Sequence, residues 1–131
     1  RGALQPHPRD HHAAAVVGTG MYSYGGWFEM RHAFDDMWRF DLESYTWTVV
    51  QVATAAPAPQ ARFLVSLQPV GATWLYLVGG ELGADEAPRR VYLNDVWAFD
   101  TASDTWTLVA PSRCPRDHSV RRLKRTGGRT G

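Results

Sequence analysis

Large apolar residues alternate with smaller ones in short segments along the whole chain. In residues 95–99, Trp97 and Phe99 share one face of an extended segment, while Val96 and Ala98 share the other. No stretch shows sustained helical periodicity, so the fold class is predicted to be all-β. The pattern predicts eight strands, at residues 13–17, 21–24, 36–40, 46–50, 63–68, 74–78, 95–99 and 105–109.

The eight predicted strands form two copies of one four-stranded unit. Laying Asp36 on Asp95 (95 − 36 = 59) aligns identical Asp, Trp, Phe, Asp, Ser, Thr, Trp and Thr residues in order. A glycine pair precedes each run at an offset of 79 − 25 = 54. The offsets differ because the segment between the glycines and the aspartate grows from residues 27–35 to residues 81–94. The chain therefore contains an internal repeat with one loop of variable length.

The order of these residues resembles the kelch motif. That motif has an arginine and a histidine before the first strand, an aromatic residue before a glycine pair, and an Asp-x-Trp-x-Phe-Asp…Thr-Trp run. A third opening at residues 115–118 repeats residues 8–11, whereas Val65 departs from the pattern by standing where the first unit has His12. The matching residues are Arg9, Tyr24, Gly25, Gly26, Trp38, Phe40, Asp41 and Trp47 in the first unit, and Arg62, Tyr76, Gly79, Gly80, Trp97, Phe99, Asp100 and Trp106 in the second.

The resemblance implies a portion of a kelch-type β-propeller, with two four-stranded antiparallel blades and an incomplete third. Blade one is expected at about 9–52, blade two at about 60–110 and the start of the third repeat at 111–120, all within a partial propeller domain at 1–120. A propeller closes with about four to eight blades, so two blades leave open faces. We expect the missing blades to come from a longer parent chain, which makes this chain a fragment, or less readily from other copies.

Several repeated residues are expected to have structural roles. The glycine pairs allow close backbone approach, and Asp41 and Asp100 are expected to close tight turns with their carboxylates. Arg9, Arg62 and Arg116 stand before each first strand, where an arginine can bind strand carbonyls or pair with a turn aspartate. The alternative is a ring of arginines at one end of the channel that binds an acidic partner; the structural role is favoured.

The loops between the second and third strands are the predicted binding surface, because they vary in length while the strands do not. Trp27, Phe28 and Arg31 in the first loop, with Arg89 and Arg90 in the second, are predicted to contact a protein partner. The alternative is that Trp27 packs on its own blade and the charged residues are only solvated.

Metal and catalytic sites have little support in the sequence. His7, His11 and His12 lie close together, but only Asp10 accompanies them as a further ligand, so neither a metal site nor any other cofactor is predicted. No nucleophile elbow, phosphate-binding loop or carboxylate pair is visible, and no enzymatic activity is predicted. Because some kelch propellers are enzymes, a fragment of an oxidase-like or lyase-like enzyme remains an alternative function.

The net charge of +1 hides an acidic body and a basic tail: residues 1–112 carry −5 and residues 113–131 carry +6. Residues 121–131 are expected to be a disordered tail, which could be a nuclear address, a phosphate-binding strip, a solvated end or a gene-model artefact. The tail lacks aromatic residues, so nucleic-acid binding is not expected. A lone cysteine, Cys114, favours an intracellular, cytoplasmic setting, and no apolar run is long enough to span a membrane.

The sequence thus predicts a protein–protein interaction module or scaffold that presents the loops of a kelch propeller to a protein partner. A truncated fragment without independent function is the other alternative that the missing blades leave open.

Overall fold

The computed structural model describes residues 4–29, 32–53, 55–83 and 91–113. These residues contain strands and no helix, which confirms the all-β prediction. The ten strands are β1 (Ala13–Val17), β2 (Gly20–Tyr24), β3 (Trp27–Phe28), β4 (His32–Ala33), β5 (Met37–Asp41), β6 (Thr46–Val49), β7 (Ser66–Val70), β8 (Trp74–Glu81), β9 (Tyr92–Asp100) and β10 (Thr105–Ala110).

Each repeat folds into one four-stranded antiparallel sheet. Blade one has the strand order β1-β2-β5-β6, and blade two has the same order, β7-β8-β9-β10. The register keeps the repeat equivalence, because Phe40 pairs with Trp47 in blade one and Phe99 pairs with Trp106 in blade two. The third sheet, β3-β4, is a two-stranded extension in the loop between β2 and β5 that the sequence pattern did not predict.

The innermost strands of the two blades meet, and a shared core lies between the sheets. Tyr22 and Tyr24 of blade one face Phe99 and Trp106 of blade two. The small side chain of Ala13 lets the innermost strand approach its neighbour, as expected near the axis of a propeller. The buried residues of this inter-blade core are Ala13, Tyr22, Tyr24, Met37, Leu67, Leu75, Leu77, Trp97, Phe99 and Trp106.

The short hairpin turns within the two four-stranded sheets lie at one end of the blades, here called the turn end. In the turn that follows β5, the Asp41 carboxylate accepts hydrogen bonds from the N–H groups of Ser44 (2.8 Å) and Glu43 (3.0 Å). These bonds lower the pKa of Asp41 to about 2, because they stabilise the ionised form. Asp100 accepts the same kind of bond from Ala102 in blade two (3.0 Å), which confirms the predicted role of both aspartates.

Some predicted boundaries were wrong. The strand expected at residues 63–68 begins only at Ser66, because Leu64 has a φ of 53° and leaves the extended conformation. Phe63 instead forms an isolated bridge with Glu81. The second variable loop is shorter than predicted, because β8 runs on to Glu81 and β9 already begins at Tyr92. Most of the third-repeat start and all of the 121–131 tail lie outside the described residues.

The loop end as the candidate functional site

The longer connections gather at the opposite end of both blades, here called the loop end. They comprise the segment before β1, the β2–β5 loop, the connector after β6 and the β8–β9 loop. This placement follows from the antiparallel strand order, in which β1 and β5 begin where β2 and β6 finish. The described parts of all the predicted binding loops therefore face one side of the molecule, on a scaffold of paired strands.

A buried arginine links the loop end of each blade to its third strand. Arg62 donates to both carboxylate oxygens of Asp95 (2.7 and 3.0 Å) and to the Gly79 carbonyl oxygen (3.0 Å). The indole N–H of Trp97 donates to the same carboxylate (2.8 Å). Only 1 % of the Arg62 side chain is exposed. Its guanidinium therefore holds the blade together and does not offer a charge to a ligand.

Blade one contains the same network. Arg9 pairs in bidentate fashion with Asp36 and donates to the Gly25 carbonyl oxygen (3.0 Å), and Trp38 donates to Asp36 (2.6 Å). Both arginines thus have the structural role favoured from the sequence. The predicted turn aspartate was the wrong partner, because the aspartate that precedes the tryptophan lies nearer to the arginine. The Arg116 of the third opening lies outside the described residues.

Both network aspartates stay ionised in the folded protein. Burial alone would raise the pKa of Asp95, but hydrogen bonds from Arg62 and Trp97, together with the charge of Arg62, outweigh it and lower that pKa. The pKa of Asp36 is lowered in the same way: burial opposes the shift, and hydrogen bonds from Arg9 and Trp38 with the charge of Arg9 prevail. These carboxylates are therefore occupied acceptors and are not available as a general base.

The glycine pair of blade one lies against the chain that enters blade two. Gly25 has a φ of 67°, and a Cβ there would overlap the carbonyl oxygen of Arg62. The N–H of Gly26 donates to that same oxygen (2.9 Å), and the N–H of Arg62 donates to the Phe34 carbonyl oxygen (3.1 Å). The predicted close backbone approach is confirmed, and it forms a hydrogen-bonded seam between the blades.

Trp27 and Phe28 lie in β3, which pairs with β4 at the loop end. Trp27 is half-buried, with its ring centre 4.0 Å from that of Phe63 at the start of blade two. It therefore packs on the neighbouring blade, whereas the sequence alternative placed it on its own blade. Phe28 is also half-buried and has its ring centre 4.3 Å from that of His7. The other predicted contact residues, Arg31, Arg89 and Arg90, lie outside the described residues.

The histidines of the first segment pack on aromatic rings. His7 contacts Phe28, and His11 has its ring centre 6.4 Å from that of Phe63. Within the described ranges, no three His, Cys, Asp or Glu side chains are grouped to hold a metal ion. Phe63 also contributes to this end, which the sequence pattern does not predict because it places Phe63 in a strand.

A shallow hollow of about 280 Å³ opens between the outer strands of the two blades. Asp35, Asp36 and Trp106 are among the residues that line it. Asp36 is occupied by Arg9 and Trp38, as described above. The other lining residues are Met37, Val49, Val50, Gln51, Val52, Ala53, Ala56 and Ala58. Apart from Asp35, Asp36 and Gln51, the described lining has no polar side chain that could orient a small substrate.

The family described as the KLHDC2/KLHL20/DRC7 Kelch-repeats domain matches residues 2–123. That match covers nearly the whole chain, and the two blades keep the register of the repeat. The chain belongs to the kelch-repeat family.

Its curated relatives are considerably longer proteins. Kelch domain-containing protein 1 of Homo sapiens is 29% identical over 118 residues, which are 88% of this chain and 27% of that protein. Kelch-like protein 25 of Rattus norvegicus is 32% identical over 111 residues, covering 82% of this chain and 18% of the relative. An N-(sulfonatooxy)prop-2-enimidothioate sulfolyase of Thlaspi arvense is 29% identical over 114 residues, or 83% of this chain and 29% of the enzyme. The chain therefore spans less than a third of each of these relatives.

The part of the chain that the structure describes contains no helix long and apolar enough to cross a membrane.

Proposed function

We propose that this chain is part of a protein–protein interaction module whose loop end contacts a protein partner. Membership of the kelch-repeat family supports an interaction module in general terms. We choose the loop end because the variable loops of both blades begin and end there, on two sheets of paired strands. Surfaces built in this way present side chains with little loss of conformational entropy on binding.

Phe28 and Trp27 are the described residues that we assign to the contact. Aromatic side chains are enriched among the residues that contribute most to binding free energy. The β3-β4 pairing holds both residues in place, and part of each side chain stays accessible to solvent. Trp27 also packs on Phe63, so its truncation would disturb the seam between blades as well as the binding surface. Phe28 is therefore the cleaner probe.

Arg31, Arg89 and Arg90 remain in the proposal as contact residues from the same two loops. Their neighbours in sequence belong to the loop end, and arginine is favoured at protein interfaces because its planar guanidinium can make several hydrogen bonds. Among the described arginines, by contrast, Arg9 and Arg62 are occupied by Asp36 and Asp95. Arg9 and Arg62 would therefore not take part in recognising an acidic group on a partner.

The test replaces Phe28 with a photo-crosslinking phenylalanine analogue and places the same analogue at Tyr45 as a control. Tyr45 lies at the turn end with 75 % of its surface exposed, so it samples solvent at least as well. We expect covalent protein adducts at position 28 and few at position 45, at unchanged melting temperature. Equal labelling at both positions, or none at position 28, would contradict the loop end as the binding surface.

A lyase activity is the second candidate, and the sulfolyase relative is the observation that favours it. Charged groups in the described part of the loop end give it little support, because Arg9, Arg62, Asp36 and Asp95 are all engaged with one another. The assay would offer the compound that the relative's name specifies and measure sulfate release. We expect no release above the rate without protein, whereas clear turnover would favour a fragment of an enzyme.

A further inference from the structure

The hollow between the outer strands lies at the loop end, where β5 begins and β6 finishes. The described part of its lining has two carboxylates, from Asp35 and Asp36, and no lysine, arginine or histidine. Asp36 is neutralised by its ion pair with Arg9. The lining therefore keeps one negative charge, that of the exposed Asp35, which no lining cation balances.

Blade two shows what the equivalent position does when it has a partner. Asn94 corresponds to Asp35 (94 − 35 = 59), and it binds the chain that leaves β10. Its Oδ1 accepts hydrogen bonds from the N–H of Arg113 (2.8 Å) and the hydroxyl of Ser112 (3.1 Å). Its backbone N–H donates to the Ser112 hydroxyl oxygen (3.3 Å). The segment after β10 thus supplies the donors that bond to the side chain at this position.

Blade one lacks the hydroxyl that makes this contact. Ser112 corresponds to Ala53 by the repeat (112 − 53 = 59), or to Val52 if the bulge in β10 is allowed for. Neither residue has a hydroxyl group, and both line the hollow together with Asp35. Across the described ranges, no hydrogen bond or ion pair reaches the Asp35 carboxylate. The hollow thus lies where blade one lacks a contact that blade two makes.

A ligand of this hollow should combine a charged donor with an aliphatic chain. A carboxylate forms shorter and stronger hydrogen bonds with a cationic donor than with a neutral one. The walls come mainly from Met37, three valines and three alanines, and two of the valines, Val50 and Val52, also pack against the inter-blade core. The methylene chain of a lysine can pack on such walls while its ammonium stays in contact with water.

We propose that this hollow binds a lysine side chain of a partner protein, with the ammonium at the Asp35 carboxylate and the methylene chain on the aliphatic walls. The inference rests on the proposed function, because the hollow lies at the loop end, and it specifies that the contacting segment of the partner is both basic and apolar. The net charge of −5 on residues 1–112 favours the approach of a cationic segment.

The test titrates the full chain with the peptide acetyl-Gly-Leu-Lys-Leu-Gly-amide. One control peptide has norleucine in place of lysine, which keeps the four-carbon chain and removes the ammonium, and another has glutamate. Binding is followed by NMR at the amides of Asp35, Val50 and Val52 and at the indole N–H of Trp106, which all belong to lining residues. Asp35→Asn removes the charge from the hollow. Asp104→Asn is the matched control, because it removes the same charge from an exposed residue at the turn end.

We expect the lysine peptide to shift these signals saturably. The norleucine and glutamate peptides should bind about three- to fivefold more weakly, because they lose an exposed ion pair. Asp35→Asn should weaken binding of the lysine peptide to the level of the norleucine peptide, whereas Asp104→Asn should leave it unchanged. Melting temperatures should be the same for all three proteins.

Several results would overturn the proposal. They are the absence of saturable shifts in the unaltered chain, equal affinity for the lysine and norleucine peptides, and unchanged binding in folded Asp35→Asn. Shifts at Asp104 as large as those at Asp35 would also overturn it, because they would show only general attraction to carboxylates. Signals of the 121–131 tail that move in peptide-free Asp35→Asn would assign the hollow to the chain's own tail instead. Crosslinking at position 28 tests the proposed function separately, so adducts there without lysine binding here would reject this inference alone.

Discussion

Arg62 and Asp95 form a bidentate ion pair, with N–O distances of 2.7 and 3.0 Å, at the junction of the two blades. The side chain of Arg62 binds blade two, while its backbone N–H and C=O bind Phe34 and Gly26 of blade one. One residue therefore fixes the arrangement within a blade and the seam between blades. The resulting positions of the neighbouring loops define the surface that we propose for binding.

Removing the carboxylate from this pair should destabilise the fold strongly. In Asp95→Ala the guanidinium of Arg62 stays buried without its charge partner, and such losses cost about 3–5 kcal/mol. Asp36→Ala is the matched variant in blade one, where 30 % of the Asp36 side chain is exposed and water can replace part of the pair. We expect a smaller loss there, about 1–3 kcal/mol. Urea denaturation measures both free energies of unfolding, and equal losses would contradict the difference in burial.

Acid should destabilise the protein through the same aspartates. Their pKa values are lowered in the folded state, so the unfolded chain takes up protons first as the pH falls. This stabilisation is fully present above the aspartate pKa of the unfolded chain, about 3.9. It is lost as the pH falls through the lower pKa values of the two aspartates in the folded protein. We expect a constant free energy of unfolding from pH 7 to about 5, followed by a decline towards pH 2. A stability that rises on acidification would show that these carboxylates are not held as ions.

The hydroxyl group of Tyr24 should stabilise the connector between the blades by hydrogen bonding to it. The phenol is buried and donates to the carbonyl oxygens of Pro59 (2.9 Å) and Gln60 (3.2 Å), and burial raises its pKa. Tyr24→Phe removes only this group, and we expect a loss of about 1 kcal/mol. Because the folded pKa is raised, stability is present below the unfolded value of about 10 and falls as the pH rises above it.

The decrease in the free energy of unfolding at alkaline pH should be smaller in Tyr24→Phe than in the unaltered chain. Urea denaturation at about pH 8 and pH 10.5 separates the two effects. An identical alkaline decline in both proteins would mean that the phenol does not stay protonated inside the fold.

The seam should not tolerate a side chain at Gly25. In Gly25→Ala the new Cβ overlaps the Arg62 carbonyl oxygen and the φ of 67° is also unfavourable, so we expect loss of cooperative folding. Gly18→Ala is the matched control, because Gly18 has a similar φ of 57° and a Cβ added there would meet open space. It should cost only about 1 kcal/mol, the backbone penalty alone. Thermal unfolding compares them, and similar melting temperatures would contradict the close approach.

The strands and their pairing order could be predicted from the sequence, because alternation and the internal repeat both report on a four-stranded unit. The sequence could not reveal β3 and β4, since two-residue strands have no periodicity to detect. The sequence pattern wrongly places Phe63 in a strand, because the pattern of apolar residues does not reveal the positive φ of Leu64.

The candidate site was only partly predictable. The variable length of the loops singled out connections that gather at one end of the blades, and the repeated arginines indicated a structural network. The partner of each arginine was missed, although the Asp-x-Trp spacing at Asp36 and Asp95 recurs in both units. Contacts between residues distant in sequence, such as Trp27 with Phe63, depend on how one blade packs on the next, and local sequence does not specify that packing.

The packing of the two blades on each other is tested most directly by amide hydrogen exchange at the seam between them. The N–H groups of Gly26, Arg62 and Leu64 donate to carbonyl oxygens of Arg62 (2.9 Å), Phe34 (3.1 Å) and His11 (3.0 Å). We expect these three amides to be protected from exchange to an extent similar to those of the central strands β8 and β9. Exchange of these amides at the rate of an unstructured peptide, with β8 and β9 still protected, would mean that the blades fold without packing together. That result would contradict the hydrogen-bonded seam between the blades.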